Sequence, residues 1–410
     1  MNVNMLFVAP FNLDMYDGTA TRVYNLAKAA SSFSKRVYLV APSINDHLRT
    51  IKNLVWIRMR PFRRSMLLAF SGLMMASIIR ALLKIMMDIE SLKEVDIDLI
   101  HVHWFTNIPI AIAIRDYIDV KLPIVVDVHG SFALQFPRPG NFGDISTIYL
   151  GRVYEYLAVK KREIAGITVP SDAFRRYLIE RYRLSSDYVY TVPDAFDLSL
   201  VEKSLNIANH KVASPKGFRC FDAKGSKIIG YVGATSFYHG FLDLLQAFAI
   251  VKKEVPDVKL MLIVPRADEV WNLAKRSGIR SEDMIIIENI PRSLVISYLK
   301  LANVLVLPHR AGTQFEYLYS NKVFDYVLSG RPIVAYSLHS IKEFLKEYPC
   351  KIFVKPNKPA ELAKGIISAL LKMRNVEIFE DIRGLTIPTL NDVSRALKEA
   401  YQAIIQRSIE

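Results

Sequence analysis

Short runs of consecutive apolar residues alternate with stretches of helical spacing from the start of the chain. NMLFVAP (4–10) precedes TATRVYNLAKAASSF (19–33), whose apolar positions follow a helical period, and RVYLVAP (36–42) comes next. The order predicts strand, helix, strand. Further runs at DLIHVHWF (98–105), PIVVDVH (123–129), GITVPS (166–171) and YVYTVPD (188–194) continue it. Strands that are apolar at nearly every position belong to a parallel sheet covered on both faces, so the expectation is an α/β domain.

From Leu198 to Ser226 the pattern lapses into a polar stretch with Pro-Lys and Lys-Gly turns, read as a connection between domains. It then resumes with SKIIGYVG (226–233), VKLMLIVP (258–265), MIIIENI (284–290), NVLVLPH (303–309), RPIVAYS (331–337) and KIFVKP (351–356). An amphipathic helix, DVSRALKEAYQAII (392–405), follows a break at 386–391. The expected boundaries are 1–198, a linker over 199–226, and 227–391. A chain of 410 residues fits two such domains, since single cores stop growing near roughly 250–300 residues. Doubly wound sheets bind ligands at the carboxyl ends of their strands, and a cleft between two of them is the default site.

Composition narrows the class. The chain is 51% hydrophobic and 23% charged, which excludes disorder and collagen. Cys220 and Cys350 stand in no metal-ligand spacing, so neither a disulfide scaffold nor a structural zinc site is expected. The N-terminal MNVNMLFVAPF lacks a basic region and cleavage site and reads as a first strand rather than a leader. These features fit a reducing, cytoplasmic setting.

Candidate chemistry gathers at predicted strand ends. Gly18 opens a helix after the turn PFNLDMYDG, where free N–H groups can face an anion. His129 ends PIVVDVH and can contact a sugar hydroxyl or stabilise developing charge. His101 and His103 share one strand face, but no third ligand stands at metal spacing, so no metal role is assigned. Asp96 and Asp98 precede that strand and read as its solvated start. In the second half, GYVGATSFYHGF places Gly233 and Ala234 in a strand-to-helix turn that can present N–H groups to a phosphate. Within VLVLPHRAGTQFEYLYSNKVFDYVLSGRPIVAYS (304–337), Ser320 or Asn321 is expected to cap a helix carrying Lys322 and Asp325 one turn apart. Lys322 can hold a diphosphate and Asp325 the ribose hydroxyls. The bland alternative is an exposed i,i+3 ion pair.

NKVFDYVLSGRPIVA resembles the K-x-x-E-Y-x-x-x-G-x-P-I-V element of retaining glycosyltransferases of the GT-B fold, the sucrose-synthase-like family. TVPDAFDLSL (191–200), YVGATSFYHG (231–240) and ANVLVLP (302–308) resemble further elements of it. The resemblance implies two Rossmann-like domains facing across a cleft, with a last helix (392–410) packing back on the first. It also implies a nucleotide-sugar donor in the second domain, an acceptor in the first, retention at the anomeric carbon, and no cofactor or obligatory metal. The implied donor contacts are Gly18, Gly233, Ala234, His239, Arg266, Ile290, Ser320, Asn321, Lys322 and Asp325. His129 and Glu316 are implied at the chemistry and His103 near the acceptor. Ala234 and His239 replace the family's usual Arg and Lys, which leaves Lys322 to supply the missing cation. A GT-B nucleotide-sugar epimerase and a noncatalytic nucleotide-sugar-binding scaffold are the competing expectations.

Net charge is +14, and eight unopposed basic groups fall between Asp46 and Asp88. RPFRRSMLLAFSGLMMASIIRALLKIMM (60–87) is too short in its uncharged core to span a bilayer, which needs roughly 20 apolar residues. Flanked by Arg63, Arg64, Arg80 and Lys84, it reads as an interfacial helix on an anionic membrane, the alternative being a core-facing helix. Nucleic acid is not expected, because aromatics are not interleaved with the basic residues. The expected enzyme is therefore peripheral on the cytoplasmic face and acts on a lipid-linked or polysaccharide acceptor.

Overall fold

The computed structural model describes residues 3–13, 18–60, 92, 94–135, 142–195, 226–288, 290–291, 294–373 and 387–409. Two compact units result, Met1–Phe196 with Pro388–Glu410, and Asp197–Ile387.

The first unit holds seven parallel strands: β1 (Asn4–Val8), β2 (Arg36–Ala41), β3 (Leu54–Arg58), β4 (Leu99–His103), β5 (Ile124–Asp127), β6 (Ile164–Val169) and β7 (Val189–Thr191). Their order is β3-β2-β1-β4-β5-β6-β7. The direction of winding reverses between β1 and β4, which opens a crevice at their carboxyl ends. All residues of β1 and β4 are buried, the apolar ones as a sheet covered on both faces requires and Asn4, His101 and His103 with them. β3 escaped the sequence reading: its residues are half-buried or exposed, and LVWIR sits within the basic stretch. The helices are α1 (Gly18–Ser31), α2 (Asp46–Arg49), α3 (Ile108–Ile118), α4 (Phe142–Ala158) and α5 (Asp172–Tyr182).

The second unit holds β8 (Lys227–Val232), β9 (Val258–Val264), β10 (Met284–Glu288), β11 (Val304–Leu307), β12 (Ile333–Tyr336) and β13 (Lys351–Val354). All are parallel, in the order β10-β9-β8-β11-β12-β13, with the reversal between β8 and β11. Its helices are α6 (Phe241–Glu254), α7 (Ala267–Arg276), α8 (Val295–Leu299), α9 (Lys322–Ser329), α10 (His339–Phe344) and α11 (Pro359–Lys372).

The last helix, α12 (Leu390–Ile409), belongs to the first unit. Val393, Leu397, Tyr401 and Ile404 join Val23, Leu26 and Ala30 of α1 in one core, and Ser394 bonds Ser32 at 2.6 Å. The doubly wound α/β architecture expected from the apolar runs is thus present in both units. Arg63, Arg64, Arg80 and Lys84 lie outside the described residues, as do most of the expected linker and the loop before Gly18. No described helix is long and apolar enough to cross a membrane.

Candidate functional site

At the reversal point of the first sheet lies a buried ionic cluster that the sequence reading did not find. Arg22, on α1 and only 2% exposed, grips Asp127 at the end of β5: Nε donates to Oδ2 at 2.9 Å and Nη2 to Oδ1 at 2.7 Å. Its Nη1 reaches Asp194 at 2.7 Å and its Nη2 also donates to the Val192 carbonyl. Thr168 of β6 donates to the same Asp127 carboxylate at 2.9 Å. Burial alone would raise the Asp127 pKa, yet Arg22, His103 and His129 hold it well below the carboxylate range.

An ionised carboxylate only accepts hydrogen bonds, so its histidine partners present N–H to it. His129 therefore carries its proton on Nδ1, 3.1 Å from Asp127 Oδ2, and His103 Nδ1 lies 3.3 Å from the same oxygen. His129 Nε2 is buried with no hydrogen-bond partner among the described residues. The imidazole is half-buried, two residues past the strand rather than its last residue. Trp104 meets its ring edge-on at 4.5 Å from just beyond β4. That tryptophan has φ 71°, a conformation costly for any residue with a Cβ and concentrated at functional positions.

His101, His103 and Asp127 bring ligand atoms within 4.8 Å of one another, so the structure does supply the carboxylate that sequence spacing lacked. The set still does not fit a cation. Arg22 already places a fixed positive charge on both oxygens of Asp127, and His101 Nδ1 bonds the Tyr401 hydroxyl of α12. Burial holds the His101 and His103 imidazoles below their ordinary pKa and hence neutral. The Asp98 carboxylate stands at the strand start but is half-buried rather than solvated, accepting from the Asn4 backbone N–H at 2.7 Å.

The reversal point of the second sheet is built differently. Just past β8, Gly233 has φ 124°, and a Cβ there would lie 2.6 Å from Lys322 Nζ. Glycine thus leaves the space that the amine fills. Lys322 opens α9 and is only 8% exposed; its one hydrogen bond among the described residues goes to the Tyr231 hydroxyl at 3.1 Å. Tyr231 in turn donates to the Ala234 carbonyl at 2.5 Å. Burial pushes the amine down to about 7, with Asp325 drawing it part of the way back. Asp325 is 4% exposed. The alternative of an exposed i,i+3 pair is overturned, because every residue of α9 is buried.

Neither expected cap forms. Asn321 precedes α9 with helical backbone and no side-chain cap bond, and Ser320 lies 3.2 Å from His309 Nε2 instead. His309, buried just past β11, stacks on Phe315 at 3.9 Å and stands 5.5 Å from His239. His239 meets Ser236 at 2.6 Å. Burial, with Lys322 nearby, keeps both imidazoles well below their ordinary pKa. Gly240, after His239, has φ 68° and would drive a Cβ to 1.6 Å from the Pro308 carbonyl oxygen. This close approach brings the His239 loop against the end of β11.

The remaining expected residues are dispersed. Gly18 is exposed at the first position of α1. Glu316 accepts weakly from the Gly312 N–H at 3.2 Å within its own loop. Ile290 packs on the core just beyond β10. Arg266 is exposed and paired with Asp268 at 2.8 Å. Arg310, not anticipated, bonds Asp243 at 2.6 Å and covers the Phe237 ring at 4.4 Å. Arg22 and Arg310 left no local signal, since their partners stand 105 and 67 residues away.

Several solved structures share the fold of this chain. Sucrose-phosphate synthase from Thermosynechococcus elongatus superposes with TM-score 0.65 at 14% identity, covering 99% of this chain and 97% of that one. Anabaena Alr3699/HepE in complex with UDP-glucose superposes with TM-score 0.62 at 14% identity, covering 100% and 98%. At such identities the likeness is one of fold, and that fold is GT-B. Residues 16–200 match the family model Glycosyltransferase Family 4, and residues 226–372 match Glycosyl transferases group 1. The chain belongs to the GT-B glycosyltransferases of these families. D-inositol 3-phosphate glycosyltransferase of Corynebacterium aurimucosum is 22% identical over 250 residues, 59% of this chain. The match spans 56% of that relative's length.

Proposed function

We propose that the chain transfers a sugar from a nucleoside-diphosphate donor, with retention of anomeric configuration, to a lipid-linked or glycan acceptor at the cytoplasmic surface of a membrane. No metal takes part in this reading. The observation that carries it is the Lys322 amine, buried beside Gly233 at the reversal point of the second sheet with a tyrosine hydroxyl as its hydrogen-bond partner. A desolvated amine beside a glycine turn gains most from an incoming dianion, because charge-assisted hydrogen bonds strengthen where water is excluded. The solved complex of the Anabaena protein with UDP-glucose supports a nucleotide sugar as that dianion.

The roles follow from placement. Lys322 and the turn at Gly233 and Ala234 take the diphosphate, Ser320 and Asn321 flank it, and Asp325 takes the ribose. His239 stands beside this group as a neutral donor or acceptor. Glu316 is assigned to the transferring sugar. In the first unit His129 offers its unpartnered Nε2 to a sugar hydroxyl, held by Asp127 and backed by Trp104. The locked state of Asp127 favours transfer over epimerisation, since a carboxylate held by Arg22 cannot exchange a proton at ordinary pH.

The test incubates the protein with nucleotide sugars and membrane lipid. Release of nucleoside diphosphate in step with a glycosylated lipid or glycan is expected, with the product's anomeric configuration, read by proton coupling in NMR, matching the donor's. Appearance of an epimeric sugar nucleotide without transfer would overturn the proposal, as would binding without turnover.

A further inference from the structure

Helix α4 (Phe142–Ala158) carries an outward face that the fold leaves uncovered. Ile145, Tyr149, Leu150, Val153, Tyr156 and Leu157 are all exposed, from 47% at Val153 to 67% at Tyr149. At 100° per residue they fill a continuous arc of about 140°. The opposite face is the one that packs: Tyr154, Glu155 and Ala158 are buried. Six large apolar side chains on one exposed face exceed the scattered surface hydrophobics usual for a soluble domain.

The rim of this face is basic. Lys160 and Arg162, exposed, and Lys161, half-buried, follow the helix end, with Lys160 Nζ 4.6 Å over the Tyr156 ring. Arg181 of α5 (Asp172–Tyr182) lies over the Tyr182 ring, which stands 6.2 Å from Tyr156. Residues 160–163 and α5 together carry Lys160, Lys161, Arg162, Arg175, Arg176 and Arg181 against three acids, Glu163, Asp172 and Glu180. Glu155, the acid of the helix's second half, points inward. Its two oxygens accept from the Ser131 hydroxyl (2.6 Å), the Phe132 N–H (2.6 Å) and the Tyr182 hydroxyl (2.5 Å). Arg152 adds bonds to the carbonyls of Phe132 and Gln135. The helix is thereby pinned to the segment that leaves His129.

We infer that the outward face of α4 docks on an anionic lipid surface, apolar side chains entering the headgroup boundary and Lys160, Arg162 and Arg181 meeting lipid phosphates. Amphipathic helices with a lysine- and arginine-rimmed apolar face lie in that plane. A net charge of +14 draws the chain toward anionic lipid and opposes its pairing with a second copy. Because Glu155 and Arg152 tie α4 to the chain after His129, docking also sets the height of that loop over the bilayer. This deepens the proposed function by giving its lipid-linked acceptor a place of approach, and it rests on that reading only for the acceptor.

The test floats the full chain on phosphatidylcholine vesicles with and without phosphatidylglycerol, at low and high salt. Wild type is expected to float only with phosphatidylglycerol, and less in high salt. The triple variant Tyr149→Ser, Leu150→Ser, Leu157→Ser removes exposed side chains only, so its melting temperature and nucleotide binding should stay at wild type. Its vesicle-bound fraction should fall by at least about tenfold. Lys160→Glu with Arg162→Glu should remove the preference for phosphatidylglycerol. Unchanged flotation of the folded triple variant overturns the inference, and so does a wild-type dimer, seen by light scattering, that the triple variant converts to monomer. Transfer to a water-soluble acceptor analogue is measured alongside. Transfer without flotation rejects docking alone, whereas flotation without transfer rejects the enzymatic reading alone.

Discussion

The carboxyl ends of the two sheets solve the same problem of buried charge in opposite ways. In the first unit Arg22 meets Asp127 and Asp194 before any ligand arrives, and every oxygen of Asp127 has a donor. In the second unit Lys322 is as deeply placed but has a tyrosine hydroxyl where Arg22 has carboxylates. One cluster is complete as folded and serves to orient His129. The other bonds no carboxylate among the described residues, Asp325 acting on the amine only through its field, and this is where the proposed function seats the diphosphate. On the proposed reading the saturated cluster positions a side chain and the amine without a bonded carboxylate receives the donor.

The contrast breaks most severely at Arg22. Arg22→Met leaves the Asp127 carboxylate buried without its cation, an imbalance that costs about 3–5 kcal/mol. Chemical unfolding should show the first unit destabilised by that amount, while nucleotide binding in the second unit persists. Adding Asp127→Asn to Arg22→Met should cost less than the two single losses together, since the lone charge is gone. A fully stable Arg22→Met would show that the cluster is not what holds the loop.

His129 gives the next largest effect and leaves the fold alone. Its Nε2 contact would matter chiefly in the transition state, so His129→Ala should lower kcat by about a hundredfold or more with nucleoside diphosphate affinity unchanged. Steady-state kinetics beside calorimetric titration separate the two. Equal loss of nucleotide affinity would remove His129 from the reacting centre.

Lys322→Ala tests the other half of the comparison. Hydrogen bonds to charged groups contribute about 1.5–3 kcal/mol, so diphosphate binding should weaken by about ten- to a hundredfold while nucleoside binding hardly changes. Asp325→Asn should weaken nucleoside and diphosphate alike, because a ribose contact is common to both. Wild-type affinity in Lys322→Ala would put the phosphate site on another helix.

How much of this was legible depends on how local the cause is. The parallel sheets followed from apolar runs such as MLFV and VLVL, where burial on both faces favours apolar side chains at successive positions. The sequence pointed to His129 through its place near a strand end, and to Lys322 through its place at the start of a helix and the resemblance of NKVFDYVLSGRPIVA. Their surroundings were not legible. Nothing near Arg22 in sequence announces a partner on β5, and the spacing of Lys322 and Asp325 leaves a surface pair open as an alternative until α9 is seen buried all round. Helix α4 went unread for a related reason. FGDISTIYLGRVYEYLA has apolar residues on several faces, and only the packing of Glu155 against Ser131 and Tyr182 decides which face turns outward.

The smallest effect is the most specific to the second site. Lys322 titrates near 7 in the free protein because burial disfavours its charge, and its neighbours do not share that window. His239 and His309 are held neutral well below it, and Tyr231 and Tyr326 well above it. A donor diphosphate needs the ammonium form, so above neutrality binding must take up a proton. Affinity for UDP-glucose, whose diphosphate diester does not itself titrate there, should fall by about tenfold between roughly pH 6 and pH 8. Stability of the second unit runs the other way. Lysine in the unfolded chain keeps its proton to higher pH than Lys322 does when folded, so the unfolded state binds more protons above 7 and stability rises with pH through that window. Calorimetry in buffers of different ionisation enthalpy counts the proton directly. Affinity that stays flat from acid to alkaline pH, in a protein whose stability still rises, would mean that the Lys322 amine never meets the diphosphate.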